Sequence, residues 1–139
     1  MVAYKDLNLK QVQSVAEILA GSLKGRQALI GLSGPLGSGK TTFTKAFAKK
    51  FGIKKVTSPT FVIRHDHRGL KGSVYHFDFY RLQKAQQLID LGLTELFGEK
   101  NVIIIEWVEK FPQIKKLCDI LITFKIKPAN LRDLTIKTN

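Results

Sequence analysis

Residues 28–51 place three patterns in immediate succession, and together they constrain the fold more than any other part of the chain. Ala28-Leu29-Ile30-Gly31-Leu32 is a short apolar run suited to a buried strand. Gly34-Pro35-Leu36-Gly37-Ser38-Gly39-Lys40-Thr41 then satisfies G-x-x-x-x-G-K-[ST] at every fixed position. Behind it, Phe43, Ala46, Phe47 and Phe51 recur at helical spacing. Glycines let the backbone turn its N–H groups onto an anion, and the start of the helix adds the positive end of its dipole. Lys40 supplies a point charge for the β- and γ-phosphates, and the Thr41 hydroxyl a ligand for Mg²⁺. The pattern predicts binding of a nucleoside triphosphate (ATP, with ADP as product) with magnesium. The binding set is Gly34, Gly37, Ser38, Gly39, Lys40, Thr41 and Thr42. An ordinary glycine-rich turn is the competing interpretation; the flanking strand and helix argue against it.

The rest of the chain sets the scale. At 139 residues, one domain over 1–139 is expected, large enough to bury a core without staples. Hydrophobic residues at 44% and charged residues at 24% exclude a disordered chain. The single cysteine, Cys118, excludes an internal disulfide framework and reads as a buried thiol. The first residues lack the order of a signal peptide, and no run approaches the ~18 apolar residues of a membrane span. A cytoplasmic protein with no membrane partner is expected. Against 11 acidic residues stand 23 Lys and Arg, a net charge of +12 that favours polyanions such as RNA. The lysines are scattered rather than blocked, so an unusual bulk composition would produce the same charge.

Asn8 can cap a first helix with Val12, Val15, Ala16, Leu19 and Leu23 on its apolar face. Residues 61–65 and 73–79 read as paired strands, with 68–72 as the turn. Residues 82–97 read as helix broken near Gly92, 102–107 as a buried central strand, and 108–116 as a short helix. Residues 119–126 form another strand and 131–136 an edge strand beyond Pro128. The expected fold is α/β: a three-layer P-loop NTPase-like domain with a mostly parallel sheet, extended by antiparallel strands.

Hydrolysis needs more than a phosphate loop. Glu106 ends an apolar strand at the edge where open α/β sheets place ligands, so it is the expected second metal partner of Thr41. The alternative is a first solvated residue after a buried strand. Asp78 ends a different strand; alternation puts it on one face with His76 and Tyr80, while Phe77 and Phe79 point into the core. Its carboxylate either orients water or caps the next helix. Thr60, in a Ser-Pro-Thr loop with Thr57 and Ser58, either senses a γ-phosphate or belongs to a turn. Lys40, Asp78, Thr60 and Glu106 are thus the candidate catalytic residues. Trp107 reads first as packing, and His65 and His67 as surface residues matching no zinc spacing.

Gly37-Ser38-Gly39-Lys40-Thr41-Thr42, Thr57-Ser58-Pro59-Thr60-Phe61, His76-Phe77-Asp78-Phe79-Tyr80-Arg81, Asp90-Leu91-Gly92-Leu93 and Ile105-Glu106-Trp107 follow one another in order. Together they closely resemble TsaE (YjeE), the bacterial P-loop ATPase family of tRNA threonylcarbamoyladenosine synthesis. The resemblance implies slow Mg²⁺-dependent ATP hydrolysis that resets a complex with TsaD and TsaB homologues. Those partners transfer the threonylcarbamoyl group to adenosine 37 of tRNA, with direct or indirect tRNA contact by this subunit. It also implies that Lys40 and Thr41 hold phosphate and Mg²⁺, that Glu106 is a metal ligand, and that Asp78 and Thr60 lie in switch-like segments. Pro35 departs from the usual Asp, removing one N–H and fixing φ in the loop. Two other classes use the same residues: a small-molecule kinase, which lacks a long lid insertion here, and a nucleotide-bound RNA-binding module, which lacks an aromatic stacking motif.

Overall fold

A computed structural model describes residues 1–54, 63–69 and 71–139. Seven strands form one sheet in the order β1-β7-β6-β2-β5-β4-β3. They are β1 (Val2–Leu7), β2 (Ala28–Ser33), β3 (Arg64–Gly69), β4 (Gly72–Asp78), β5 (Val102–Glu106), β6 (Ile120–Lys127) and β7 (Leu131–Thr138). The centre, β6-β2-β5-β4, is parallel. The remaining pairings, at both sides, are antiparallel. The sheet is therefore mixed: antiparallel strands extend a parallel centre, as expected, but they do so on both sides, so parallel pairings are not the majority.

Two apolar cores sandwich it. On one face, helices α1 (Leu9–Leu23) and α2 (Lys40–Lys49) pack on Ile30, Leu32, Val74, Val102, Ile104 and Ile122. On the other lie α3 (Gln86–Asp90), α4 (Pro112–Lys115) and 3₁₀ turns at Thr94–Leu96 and Val108–Lys110, over Tyr75, Phe77, Ile103 and Ile105. The helix α1 starts with a reciprocal cap: Asn8 Oδ1 accepts from the Gln11 N–H (2.8 Å) and Gln11 Oε1 from the Asn8 N–H (2.9 Å). A row of buried rings anchors α2, with Phe43–Phe47 at 6.3 Å, Phe47–Phe51 at 5.4 Å and Phe43–Phe124 at 5.9 Å between centroids. Each buried ring contributes about 1.5–3 kcal/mol. That row fixes where the first turn of α2 sits.

Several local expectations change. Residues 131–136 were expected at an edge, but β7 is interior, because Val2–Leu7 pairs along its outer side. Only Leu7 of β1 is buried, so the strand carries no hydrophobic alternation that a sequence reading could detect. Strand β3 is displaced towards the hairpin end: it runs through Arg68–Gly69, which pairs with Gly72–Ser73 rather than forming a turn. Gly69 serves close approach there, since a Cβ on it would lie 2.0 Å from the Phe51 carbonyl oxygen. The predicted helix over 82–97 shrinks to α3 and one 3₁₀ turn, separated by Gly92 at φ 80°. The one over 108–116 is split by Phe111, which is extended before Pro112. Thr57, Ser58, Thr60 and the start of the strand predicted at 61 lie outside the described residues.

Cys118 is buried beneath this second layer, and burial, followed by the adjacent Asp119 charge, pushes its thiol up to about 12. No helix among the described residues is long and apolar enough to cross a membrane.

Candidate functional site

The glycine loop leaves β2 at the carboxyl edge of the parallel strands and enters α2. Gly34, at φ 150°, has no room for a side chain: a Cβ would sit 2.8 Å from the Phe124 carbonyl oxygen. Gly37 and Gly39 also have positive φ (78° and 109°), and Gly39 is the N-cap of α2. The ten-residue helix has no acidic residue in its first turn, so its positive end is unneutralised from within.

Lys40 folds back over this loop. Its Nζ donates to the carbonyl oxygens of Gly34 and, at 3.1 Å, of Pro35. It also lies 3.9 Å from the centroid of the Trp107 ring, which packs against Tyr80 at 5.0 Å. Burial pulls the Lys40 ammonium below the usual lysine range, while Glu106, Glu109 and Asp78 oppose that shift. Trp107 is therefore part of the site wall. It adopts φ 61°, a left-handed conformation that costs a bulky residue about 1–2 kcal/mol.

Strand register brings the acids to the loop. Leu32, Glu106 and Asp78 are neighbours across β2, β5 and β4. Glu106 is only 3% exposed; its Oε1 accepts from the Thr41 hydroxyl at 3.2 Å, and its Oε2 contacts Nε2 of fully buried His76. Asp78 stands beside them, its Oδ1 accepting from the Tyr80 N–H at 2.9 Å. Burial, and then the Glu106 charge, raise the Asp78 carboxyl above the usual range, against the opposing Tyr80 N–H, His76 and Lys40. Gly37, Ser38, Gly39, Lys40, Thr41, Thr42, Asp78, Glu106 and Trp107 line one cleft, joined by Ile63, Tyr80 and Arg81. Gly34 is not among the lining residues and meets the site through its carbonyl, which accepts from Lys40 Nζ; Thr60 falls outside the described residues.

A raised Asp78 pKa makes the folded state bind more protons than the unfolded one. Its destabilising effect therefore grows as pH rises above the unfolded carboxylate pKa and levels off above the folded one. Asp78→Asn is expected to raise Tm at neutral pH by roughly 1–3 °C. The gain should fade when the melt is repeated near pH 3; an equal gain at both pH values would assign it to packing.

Three neighbours of the cleft carried no assigned role in the sequence. Glu109 Oε2 accepts from the Ser33 hydroxyl (2.8 Å) and the Gly34 N–H (3.0 Å), tying the 3₁₀ turn after β5 to the first residue of the loop. Glu109→Ala leaves both donors without that partner and is expected to cost about 1.5–3 kcal/mol in chemical denaturation. A loss under 0.5 kcal/mol would mean that water replaces the carboxylate. His76 looked like one member of a polar face, yet it is fully buried. Arg132, 2% exposed, backs the loop: a Cβ on Gly39 would lie 3.6 Å from its Nη1, while Nη2 donates to the Asn130 carbonyl (3.2 Å) and Oδ1 (3.0 Å).

Fold and site together define a three-layer α/β domain with a glycine loop facing paired acids at the carboxyl edge of a mixed sheet. The profile of the family described as threonylcarbamoyl adenosine biosynthesis protein TsaE matches residues 7–134. The chain is 38% identical over 125 residues to the TsaE protein of Aquifex aeolicus, covering 88% of this chain and 85% of that one. It is 37% identical over 115 residues to the Bacillus subtilis TsaE protein, covering 79% and 71%. The crystal structure of Bacillus subtilis YdiB superposes with a TM-score of 0.75 at 28% identity, over 99% of this chain and 84% of that one. This chain belongs to the TsaE family.

Proposed function

We propose that the chain, acting as one domain, binds and slowly hydrolyses Mg²⁺-ATP in support of tRNA threonylcarbamoyladenosine synthesis. The observation that carries the reading is the 3.2 Å approach of Thr41 Oγ1 and Glu106 Oε1, beside Lys40 and beneath an open helix N-terminus. A hydroxyl and a carboxylate offer hard oxygen donors, the chemistry Mg²⁺ selects, and the loop offers N–H groups and a cation to phosphate. These residues fit the group. Magnesium when bound would neutralise charge building up on the phosphates. Gly37, Ser38, Gly39 and Thr42 would orient the phosphate chain, with Lys40 countering its charge. Asp78, next to Glu106, would orient a water or hold a metal-bound one. Trp107 and Tyr80 would shield the cleft from bulk solvent, and Thr60 completes the proposed catalytic set.

The relatives' names concern tRNA threonylcarbamoyladenosine biosynthesis, and the same role is proposed here. The subunit would drive repeated turnover of a TsaB–TsaD complex in the cytoplasm without carrying out the transfer itself. Steady-state ATPase assays test this: turnover should rise when active TsaB and TsaD homologues are added. Unchanged turnover, with every component shown to be active, would remove the partner role.

A further inference from the structure

The two ends of the sheet differ in how their cations are partnered. The glycine loop occupies the carboxyl edge of the parallel strands, with Asp78, Glu106 and Glu109. Cations at the adjoining end of the β1–β7–β6 group are paired there, Lys5 and Lys127 with Asp133 and Asp6. The opposite edge is formed by the starts of β2, β4, β5 and β6 and the end of β7, because Ala28 pairs with Val102, Val102 with Val74, and Ile120 with Thr138.

Helix ends and turns deliver lysines to that amino edge. Lys24 is the C-cap of α1 and Lys50 the C-cap of α2. Lys71 occupies the β3–β4 connection, whose Gly69 abuts Phe51. Lys100 precedes Asn101, whose carbonyl accepts from the Ala28 N–H at 3.1 Å; Lys116 precedes β6, and Lys137 is the penultimate residue of β7. All six are exposed, and none forms an ion pair among the described residues. Lys24 and Lys71 are close enough to depress the Lys24 ammonium by mutual repulsion, with burial and Lys50 adding to it. The acids at this edge bind neutral N–H groups rather than these lysines: Asp119 Oδ2 accepts from the Leu29 N–H at 2.8 Å, and Glu99 Oε2 from Asn101 Nδ2 at 3.2 Å. Residues 55–62 and 70 contain no Asp or Glu.

We propose that this amino edge is a docking surface for the phosphate backbone of tRNA, on the end of the sheet opposite the glycine loop. From β4 to β7 the row crosses four inter-strand steps, about 19 Å at about 4.8 Å each, the span of several backbone phosphates. Unpaired lysines held near one another cost free energy that a polyanion recovers by releasing its counterions. Lysine is depleted at the centres of protein–protein interfaces and common at phosphate contacts, which favours RNA over an acidic protein. Only the choice of tRNA among RNAs rests on the function proposed above.

The test is fluorescence anisotropy with a labelled, unmodified tRNA transcript across a salt series. The parent chain should bind with a linear dependence of log Kd on log salt. The combined variant Lys24→Gln, Lys50→Gln, Lys71→Gln should bind about tenfold or more weakly at low salt, with the salt slope reduced by about two to three. The single variants should each reduce it by about one, which preserves the test if the combined variant unfolds. Lys10→Gln with Lys125→Gln, away from this edge, should leave binding intact. No tRNA binding at low salt, or equal losses from both sets of variants, overturns the proposal. So does loss of an acidic protein partner while tRNA binding persists. If the parent binds tRNA at this edge but fails to bind Mg²⁺-ATP, the docking surface stands and the nucleotide reading falls.

Discussion

Glu106→Gln is expected to abolish Mg²⁺-dependent ATP turnover, lowering kcat by about a hundredfold or more. The amide keeps the shape of a side chain that is 3% exposed and can still meet the Thr41 hydroxyl, so folding should survive. What disappears is the negative charge at the end of β5. Nucleotide affinity without Mg²⁺ should stay close to the parent value, while the gain on adding Mg²⁺ is lost. Calorimetric titration with and without the metal separates the two effects. Parent-like turnover would place the metal elsewhere. His76 belongs to the same prediction, because its fully buried ring abuts the Oε2 of Glu106. Removing it would free the carboxylate to rotate, so the same metal titration should respond to His76→Ala and recover in part with His76→Gln.

Lys40→Ala is expected to weaken ATP binding by one to two decades, the equivalent of roughly 1.5–3 kcal/mol for a charge-assisted contact. Part of that contact is offset in the parent, where Lys40 must leave the Gly34 and Pro35 carbonyls before it can reach phosphate. Trp107 is the only tryptophan in the chain and lies 3.9 Å from the Lys40 ammonium, so its fluorescence should report nucleotide entry. In the variant, the fluorescence change should shift to higher ATP concentration, and calorimetry should show the same displacement. Undiminished affinity by both measurements would mean that the loop does not hold phosphate through this side chain.

Wherever neighbouring residues carry the information, the sequence alone determined the outcome. The strand–loop–helix unit at 28–49, the Asn8–Gln11 cap and the apolar strand ending in Glu106 all depend on spacings of a few residues. Alternation was equally legible in β4, where Tyr75 and Phe77 enter the second core while Val74 enters the first. Alternation by itself does not say what covers each face. His76 was legible as a polar position, and only the pairing of β4 with β5 in the folded sheet made it a buried neighbour of Glu106.

Long-range closure decided the rest. Strand β1 exists because β7 offers an edge to pair with, and its own sequence buries almost nothing. Glu109 became a cap of the loop because β5 lies beside β2, which joins groups 75 residues apart. Scattered lysines became one edge because helices and strands end at the same height across the sheet. Local spacing sets dihedral preference and periodicity, so it names the elements and the loop. Which buried charge meets which partner is set by strand order, and strand order is a property of the folded sheet.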